Sequence, residues 1–189
     1  MIVGTAKERD IAIDILCKSF YNILIPNSIN FVVSEKGNRY KKLKALMSYQ
    51  VDLTLLYGKF FLNENRTGVI LYLDNPRQSL KRFFLELKLV FKCIGITNVF
   101  KVLKRENLLK KNHPDHSYIH LWLMGVLPEL QGKGIGTKLL NESLQEFQDD
   151  CLFVETTTPE NLKFYQKNGF SIFYETHQLD YPLYFLKNV

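Results

Sequence analysis

The sequence predicts an α/β fold in which helices cover a mixed β-sheet. The hydrophobic period changes along the chain: helical spacing comes first, then a strand pair, a helical block, and finally strand, helix, strand, helix, strand, strand. The chain has 189 residues, of which 46% are hydrophobic and 23% charged, and this composition excludes disordered, collagen-like and repeat proteins. We therefore expect one folding unit spanning 1–189.

The first part of the chain predicts two helices and a hairpin. The first helix is expected to begin near Ala6 behind a Thr5 cap, with its apolar stripe on Ile11, Ile15, Leu16 and Phe20. A second, basic helix is expected over 35–56, with Leu43, Leu46 and Met47 on its inner side. The β-rich runs 59–62 and 68–73 then predict a hairpin with a long loop.

Residues 77–112 form a basic helical insertion, expected as two segments that break around Gly95. It is predicted by apolar residues at helix spacing, namely Leu80, Phe83, Phe84, Leu87 and Phe91. Between 77 and 111 there are 10 basic and 2 acidic side chains. No RNP, KH or C₂H₂ signature accompanies them, so we expect a solvated basic face and no nucleic-acid partner.

The remaining elements alternate strand and helix. An apolar strand is expected over 118–127, followed by a glycine-rich loop, a helix over 135–148 and a buried strand over 152–157. A short helix over 159–168 is expected to be capped by Thr158 and ended by Gly169, with strands 171–179 and 183–186 after it. The helices between 118 and 170 are expected to join parallel neighbours, while the last strands can be antiparallel.

The unusual feature of the composition is its excess of positive charge. The chain carries 25 basic and 19 acidic side chains, a net charge of +6, which is compatible with nucleic acid, an anionic membrane or a phosphorylated cofactor. The sum hides an asymmetry, since residues 1–112 have a net charge of +11 and residues 113–189 one of −5. An acidic second half is consistent with attraction of a cationic amine.

The three cysteines, Cys17, Cys93 and Cys151, are far apart and contain no C-x-x-C pair. Neither a disulfide framework nor a zinc ribbon is indicated. The first ten residues lack the apolar core of a signal peptide, and charges interrupt the most apolar stretch, 83–96, so no transmembrane span is expected. We expect a cytoplasmic protein without a membrane partner.

The most informative segment is the glycine-rich loop, GVLPELQGKGIGTK at 125–138, between a strand and a helix. Glycines there let an anion approach the free amides of a helix start, and phosphate is the natural ligand. The glycine positions do not match a Walker loop or a G-x-G-x-x-G dinucleotide fingerprint. The segment does contain Q-x-x-G-x-G, filled by Gln131, Gly134 and Gly136.

At this motif the chain resembles the GNAT superfamily of acetyl-coenzyme A (acetyl-CoA) dependent N-acetyltransferases. A second family signature, NLKFYQKNGF at 161–170, follows in the correct order and spacing. The resemblance covers about 116–173 and implies a single N-acetyltransferase domain with a mixed, mostly antiparallel sheet and helices on both faces. The segment 154–161 and the basic insertion resemble the puromycin-acetyltransferase-like branch.

The resemblance also implies which residues bind acetyl-CoA. They are Met124, Val126, Gln131, Gly132, Lys133, Gly134, Ile135, Gly136, Thr137, Asn161 and Tyr165. In this family the loop holds the pyrophosphate, and the strand before it pairs with the pantetheine arm at Val126. The alternatives for single residues are a solvated loop position for Lys133 and simple helix capping for Asn161.

Moving an acetyl group from a thioester to an amine requires a neutral amine, a stabilised oxyanion and a protonated leaving thiolate. His120 occupies the position at which many relatives carry a glutamate base, and its imidazole is suited to proton transfer. Glu155 is the second candidate, as a base or as an anchor for a cationic amine. Each residue also has a purely structural interpretation. His120 can be a sheet histidine whose nitrogens bond to backbone or water, and Glu155 can be a solvated carboxylate at the end of a strand.

Two further roles follow from the resemblance. The backbone amide of Met124, on a strand expected to carry a bulge, is the candidate oxyanion donor, although the side chain alone fits a core position. Tyr165 is the candidate acid for the leaving sulfur, and its alternative is a core aromatic.

The spacing of His113, His116 and His120, with Asp115, also invites a metal hypothesis. Structural zinc sites usually recruit cysteine, so we expect no metal. The expected function is direct transfer of an acetyl group from acetyl-CoA to the primary amine of a small molecule, in a ternary complex. The alternative is a catalytically silent CoA or acyl-CoA binding module, and the sequence leaves monomer and homodimer open.

Overall fold

The protein is described by a computed structural model that covers residues 1–33, 37–74, 76–114 and 116–188. The strands are β1 (Ile2–Val3), β2 (Gly58–Leu62), β3 (Gly68–Asp74), β4 (Ile119–Val126), β5 (Leu152–Thr156), β6 (Phe170–Thr176) and β7 (Leu183–Asn188). The α-helices are α1 (Arg9–Tyr21), α2 (Ser28–Val32), α3 (Arg39–Tyr57), α4 (Leu80–Leu89), α5 (Val99–Lys111), α6 (Ile135–Leu144) and α7 (Pro159–Lys167).

The seven strands form one sheet in the order β1-β2-β3-β4-β5-β7-β6. Strands β4 and β5 are parallel, and every other neighbouring pair is antiparallel. The mixed, mostly antiparallel sheet is therefore confirmed. The expected crossovers are confirmed for α6 but not for α7, because β7 lies between β5 and β6 and separates the strands that α7 connects.

The N-terminal elements begin later than the sequence indicates. Thr5 and Glu8 close a turn through a 2.6 Å side-chain hydrogen bond, so α1 starts at Arg9 rather than Ala6. Asn38 caps α3 through the Lys41 amide, and the expected helix start at 35 lies outside the described residues. The two-residue β1 and the one-turn α2 were not predicted, because such short elements show no hydrophobic period.

The basic insertion is helical and breaks at Gly95, whose φ is 77°, as expected. Its apolar stripe, however, faces solvent: Leu80 is 79% exposed and Phe84 63%. The residues that pack inward are Leu89 and Ile94, which join the core beneath α1 and α3. The expectation of a purely basic solvated face is thus wrong for α4, because its outward surface is apolar as well as basic.

The two faces of the sheet carry different helices. On the face covered by α1 and α3, the α3 face, Leu16, Met47 and Leu71 form the core. On the opposite face, covered by α6 and α7 and called the α6 face, Leu139 and Tyr165 pack in a second core. Helices on both faces are confirmed. Within the described ranges, none of the helices is both long and apolar enough to cross a membrane.

Candidate functional site

Strands β4 and β5 separate after a short paired stretch. They pair only from Ile119 to Leu121 on β4 and from Leu152 to Val154 on β5, although β4 continues to Val126. Beyond Leu121 the β5 side of β4 has no strand partner among the described residues. The result is a split in the sheet, bordered by an edge of β4 that an extended ligand can pair with.

The free edge of β4 exposes specific backbone groups. The β3 residue Gly68 directs both of its own groups to Asn63, donating to Oδ1 at 2.8 Å and accepting from the Asn63 amide at 3.2 Å. Its β4 partner Val126 therefore forms a non-hydrogen-bonded pair with it, and the amide of Val126 points to the split. Strand alternation gives Met124, two residues earlier, the same orientation.

A β-bulge interrupts β4 just before this edge. Leu71 pairs with Leu123 but Tyr72 pairs with Leu121, which leaves Trp122 as the extra residue. The Trp122 ring packs on Tyr49 of α3 with centroids 6.1 Å apart. The bulge expected on this strand is confirmed, and it lies where the two strands separate.

The glycine-rich loop stands at the open end of the split. Gly132 and Gly134 have φ values of 75° and 79°, which an L-residue rarely adopts, and a Cβ at either would meet nothing within 4 Å. Gly134 precedes α6 without a side-chain cap, so the amides of the first α6 turn, 135–137, lack intrahelical acceptors. Open space before free helix amides fits a phosphate group.

Two contacts fix the loop to β4. Gly136 lets α6 approach the strand, because a Cβ there would lie 2.8 Å from Cε of Met124. The Nε2 of Gln131 donates to the Val126 carbonyl at 3.0 Å, and the Ser19 hydroxyl donates to the same oxygen at 2.8 Å. Gln131 thus holds the loop in place, while the Val126 amide stays directed to the split.

The remaining predicted cofactor residues lie on the same side. Lys133 is exposed in the loop. The Thr158 hydroxyl accepts from the Asn161 amide at 3.3 Å, so Thr158 is the cap of α7 and the exposed Asn161 side chain is free of that role. Tyr165 is buried against Phe170, and its hydroxyl bonds to nothing in the described part of the chain. Burial raises the pKa of Tyr165, which keeps the phenol protonated.

A polar cluster formed by His113, Tyr118, His120 and Glu155 lies where β4 and β5 close. The two ring nitrogens of His113 bind Tyr118 Oη at 2.7 Å and Glu155 Oε1 at 2.9 Å. The His120 ring lies 5.8 Å from that of His113 and 4.9 Å from that of Phe153, between centroids. Because a carboxylate only accepts, Nε2 of His113 is the donor of the bond to Glu155.

The charges in the polar cluster are set by burial and neighbours. Burial opposes ionisation of Glu155, yet the hydrogen bond from His113 and the charge of Arg105 hold its pKa below the ordinary value. Burial lowers the pKa of His120 to about 4, against the opposing pull of Glu155. At neutral pH the cluster therefore combines an ionised carboxylate with an uncharged imidazole.

Sequence reasoning missed two residues near this cluster. His113, considered only as a metal ligand, reaches Glu155 from a loop 42 residues away, and no periodicity signals such a contact. Arg105, assigned to a solvated basic face, is only 6% exposed. It donates to Tyr181 Oη and to Ser28 Oγ, both at 2.8 Å, so it joins α5 to α2 and to the segment before β7.

The metal hypothesis finds no ligand set in the described ranges, where no three His, Cys, Asp or Glu residues are placed to hold an ion. His113 is engaged with Tyr118 and Glu155, and His116 is exposed. Asp115 lies outside the described residues.

The candidate proton donor and proton acceptor lie on opposite faces of the sheet. Tyr165 belongs to the core of the α6 face, together with Val154. Phe153, one residue earlier on β5, points to the other face, and the His120 ring packs against it at an interplanar angle of 41°. Acyl transfer requires one proton donor for the leaving atom and one proton acceptor for the attacking atom, and groups on opposite faces of the sheet could serve two substrates that meet in the split.

Comparison with known proteins identifies a related domain and fold. Residues 94–172 match the family model of the acetyltransferase (GNAT) domain. One structure from Corynebacterium glutamicum, described as "histone acetyltransferase HPA2 and related acetyltransferase", superposes on this chain with a TM-score of 0.71 at 18% identity. The match covers 99% of this chain and 94% of that protein. Arylalkylamine N-acetyltransferase 2 from Aedes aegypti superposes with a TM-score of 0.63 at 18% identity, and the match covers 99% of this chain and 97% of that protein.

An N-acetyltransferase from Staphylococcus aureus Mu50 gives a TM-score of 0.59 at 14% identity and covers 99% of this chain and 100% of its own. The chain therefore has the GNAT fold and contains a match to a GNAT acetyltransferase domain. GNAT domains use acetyl-CoA, and these findings support an acyltransferase.

Proposed function

We propose that this protein moves an acetyl group from acetyl-CoA to the primary amine of a small molecule, by direct transfer in a ternary complex. The proposal rests on one observation: the split between β4 and β5 has a glycine loop with free amides at its open end and the polar cluster at its closed end. We treat 1–189 as one N-acetyltransferase domain, with 77–112 as an insertion and 116–173 carrying the motifs.

The chain offers acetyl-CoA three kinds of contact. The amides of 135–137, with Lys133 nearby, are suited to the pyrophosphate. The amide of Val126 is directed to the split, where it can pair with the pantetheine arm, and the amide of Met124 can donate to the thioester oxygen as it gains charge. Acetyl-CoA supplies the activated acetyl group, and these residues hold and orient it.

The acceptor must reach the site as a free amine. An alkylammonium has a pKa near ~10, and a base whose pKa is about 4 cannot remove that proton in bulk equilibrium. Once nitrogen bonds to the carbonyl carbon, however, its proton becomes strongly acidic, and neutral His120 can accept it directly or through water. The carboxylate of Glu155, fixed by His113, then stabilises the imidazolium.

On the opposite face Tyr165 is proposed to donate its proton to the leaving sulfur. Its raised pKa keeps it protonated through the physiological range. The hydroxyl is not held by another protein group in the described chain, so a ligand can use it.

We further propose that the acceptor carries an aromatic or apolar group. The polar cluster adjoins aromatic rings: Phe153 contacts Tyr118 at 5.4 Å and Phe173 at 6.0 Å, between centroids. Arylalkylamine N-acetyltransferases are among the structural neighbours, which supports an acceptor of this class. The anionic Glu155 would orient the amine end.

The direct test is thiol release from acetyl-CoA with a panel of amines, at pH 8, for the wild-type protein and Tyr165→Phe. We expect turnover with arylalkylamines above that with polar amines, and a loss of kcat in Tyr165→Phe with little change in acetyl-CoA affinity. Acetyl-CoA binding without turnover for any amine, identical in the two proteins, would sink the enzyme proposal.

That last outcome would favour the second candidate, a catalytically silent CoA or acyl-CoA binding module. The observation behind it is His120, which stands where many GNAT members have a glutamate. Calorimetric titration with CoA and acetyl-CoA separates the two candidates, because a sensing module must distinguish the two ligands without consuming either.

Two finer assignments also remain proposals. The puromycin-acetyltransferase-like subgroup is supported by the segment 154–161 and by the helical insertion. A cytoplasmic location is supported by three separated cysteines, two of which, Cys17 and Cys93, are buried thiols.

A further inference from the structure

Helix α4 turns an apolar face to solvent. The side chains on this α4 face are Leu80, Phe83, Phe84, Leu87 and Phe91 of the following turn, and their exposed fractions range from 41% to 79%. The Phe83 and Phe84 rings touch edge to face, with centroids 5.8 Å apart. Single exposed apolar residues are ordinary, but a contiguous patch of this kind marks an interaction surface.

The α4 face is separate from the proposed active site. On its inner side α4 buries Leu89, which joins Cys93 and Ile94 in the core built on α1 and α3. The helix therefore forms an outer layer above α3, and its exposed side points away from the sheet.

The charges next to the α4 face have one sign. Lys81, Lys88 and Lys92 are exposed and, at seven- and four-residue spacing, follow one flank of the helix. None of the three forms an ion pair with the described residues. The acidic residue of α4, Glu86, is held by Arg82 at 2.7 Å, so its charge is compensated within the helix.

We propose that the α4 face docks on an anionic lipid surface, with α4 lying in the membrane plane. A helix with Phe and Leu on one side and lysines along its flank is the pattern of interfacial helices, which combine burial of apolar side chains with attraction to acidic headgroups. This proposal revises the expectation that no membrane is a partner, which rested only on the lack of a spanning segment.

Charge complementarity favours this partner over two others. In a symmetric dimer through the α4 face, the lysines of one copy would meet those of the other, which is unfavourable without facing carboxylates. Nucleic acid would satisfy the lysines but leave five apolar side chains exposed, because phosphate contacts do not bury them. An acidic bilayer satisfies both features.

The test is co-sedimentation of the full chain with vesicles at 0.1 M salt. Pure phosphatidylcholine vesicles are compared with vesicles containing about one-third phosphatidylserine, a content in the range where polybasic segments bind. We expect binding to the acidic vesicles only, and at least a tenfold loss in the double variant Phe83→Ser and Phe84→Ser. The pair Lys88→Glu and Lys92→Glu should lose binding to a similar degree.

The matched control is Lys41→Glu with Lys44→Glu, which makes the same charge change at exposed positions of α3. It should keep nearly full vesicle binding, and melting curves verify that every variant is folded. Equal losses in the control pair would show that only net charge matters and would overturn the proposal. So would the absence of vesicle binding together with a dimer that Phe84→Ser dissociates.

Discussion

His120 is a residue whose protonation changes when the chain folds. Its imidazole is placed among Phe153, His113, Glu155 and Arg105, and burial there lowers its pKa to about 4. An unfolded chain restores the ordinary value near ~6.5. The uncharged ring, to which the proposed function assigns the role of proton acceptor, therefore also makes the native state sensitive to acid.

We expect the free energy of unfolding to fall as the pH drops from about 6.5 towards 4. In this range the unfolded chain binds a proton at His120 and the native protein does not, so acid favours unfolding. The contribution at pH 4.5 is of the order of 2 kcal/mol. Urea denaturation at pH 7 and pH 4.5 should show a smaller acid loss in His120→Gln, whereas His177→Gln, an exposed control, should behave like wild type.

The same residue gives a kinetic prediction. In His120→Gln we expect kcat to fall by roughly 10² or more, the usual contribution of a general base, with little change in acetyl-CoA affinity. In the wild type, kcat/KM should rise with pH towards the pKa of the acceptor ammonium and show no limb from His120 above pH ~5. Unchanged turnover in the variant would transfer the role to Glu155 or to water.

At the scale of elements, the loop before α6 depends on a left-handed residue. We expect Gly134→Ala to weaken acetyl-CoA binding by about tenfold, because an alanine at φ 79° is strained and shifts the first-turn amides. Gly95→Ala is a control for strain at a positive φ: Gly95 has φ 77° and equally open space but lies in the basic insertion, outside the loop. Gly134→Ala should lose ~1 kcal/mol of stability, and Gly95→Ala should lose more, because its ψ of 143° lies outside the left-handed helical region. Calorimetric titration should show weaker acetyl-CoA binding only in Gly134→Ala.

The same scale shows how far sequence reasoning reaches. Helix caps such as Thr158, the break at Gly95 and the hairpin after Gly58 depend on a few neighbouring residues, and they were predicted. The order of strands depends on packing between distant segments, so the place of β7 beside β5 was not. Periodicity located the apolar stripe of α4 but could not say whether Leu80 and Phe84 face the core or solvent.

For the candidate site, too, local motifs were predicted from the sequence and contacts between distant residues were not. The glycine loop, Tyr165 and Glu155 were named from local motifs, and the structure brings Glu155 and His120 into one cluster. His113 and Arg105 act through partners 42 and 76 residues away, Glu155 and Tyr181. Such contacts exist only after the chain has folded, and nothing in the local sequence distinguishes these residues from solvated ones.

Over the whole molecule, Arg105 connects parts that are far apart in sequence. Its guanidinium binds Ser28 of α2 and Tyr181 before β7, and its charge lowers the pKa of Glu155. We expect Arg105→Met to destabilise the protein by about 3 kcal/mol, since the buried hydrogen bonds are lost and both hydroxyls are left without their donor. Tyr181→Phe removes one hydrogen bond and should cost ~1 kcal/mol.

Thermal denaturation of the two variants measures this difference. Equal, small losses would show that the guanidinium is solvated rather than shared between α2, α5 and the β7 segment.

The charge asymmetry of the chain also has a place in the fold: the basic half carries the α4 face, and the acidic half carries the split and Glu155.

The position of β7 has a consequence for biosynthesis. Residues 183–188 leave the ribosome after β5 and β6, yet they are inserted between those two strands. Until then β5 has no antiparallel neighbour, and the wall of the split that carries Glu155 is an unprotected strand edge. A nascent chain can therefore build the glycine loop early, but the β5 wall of the split is completed only when β7 has been released.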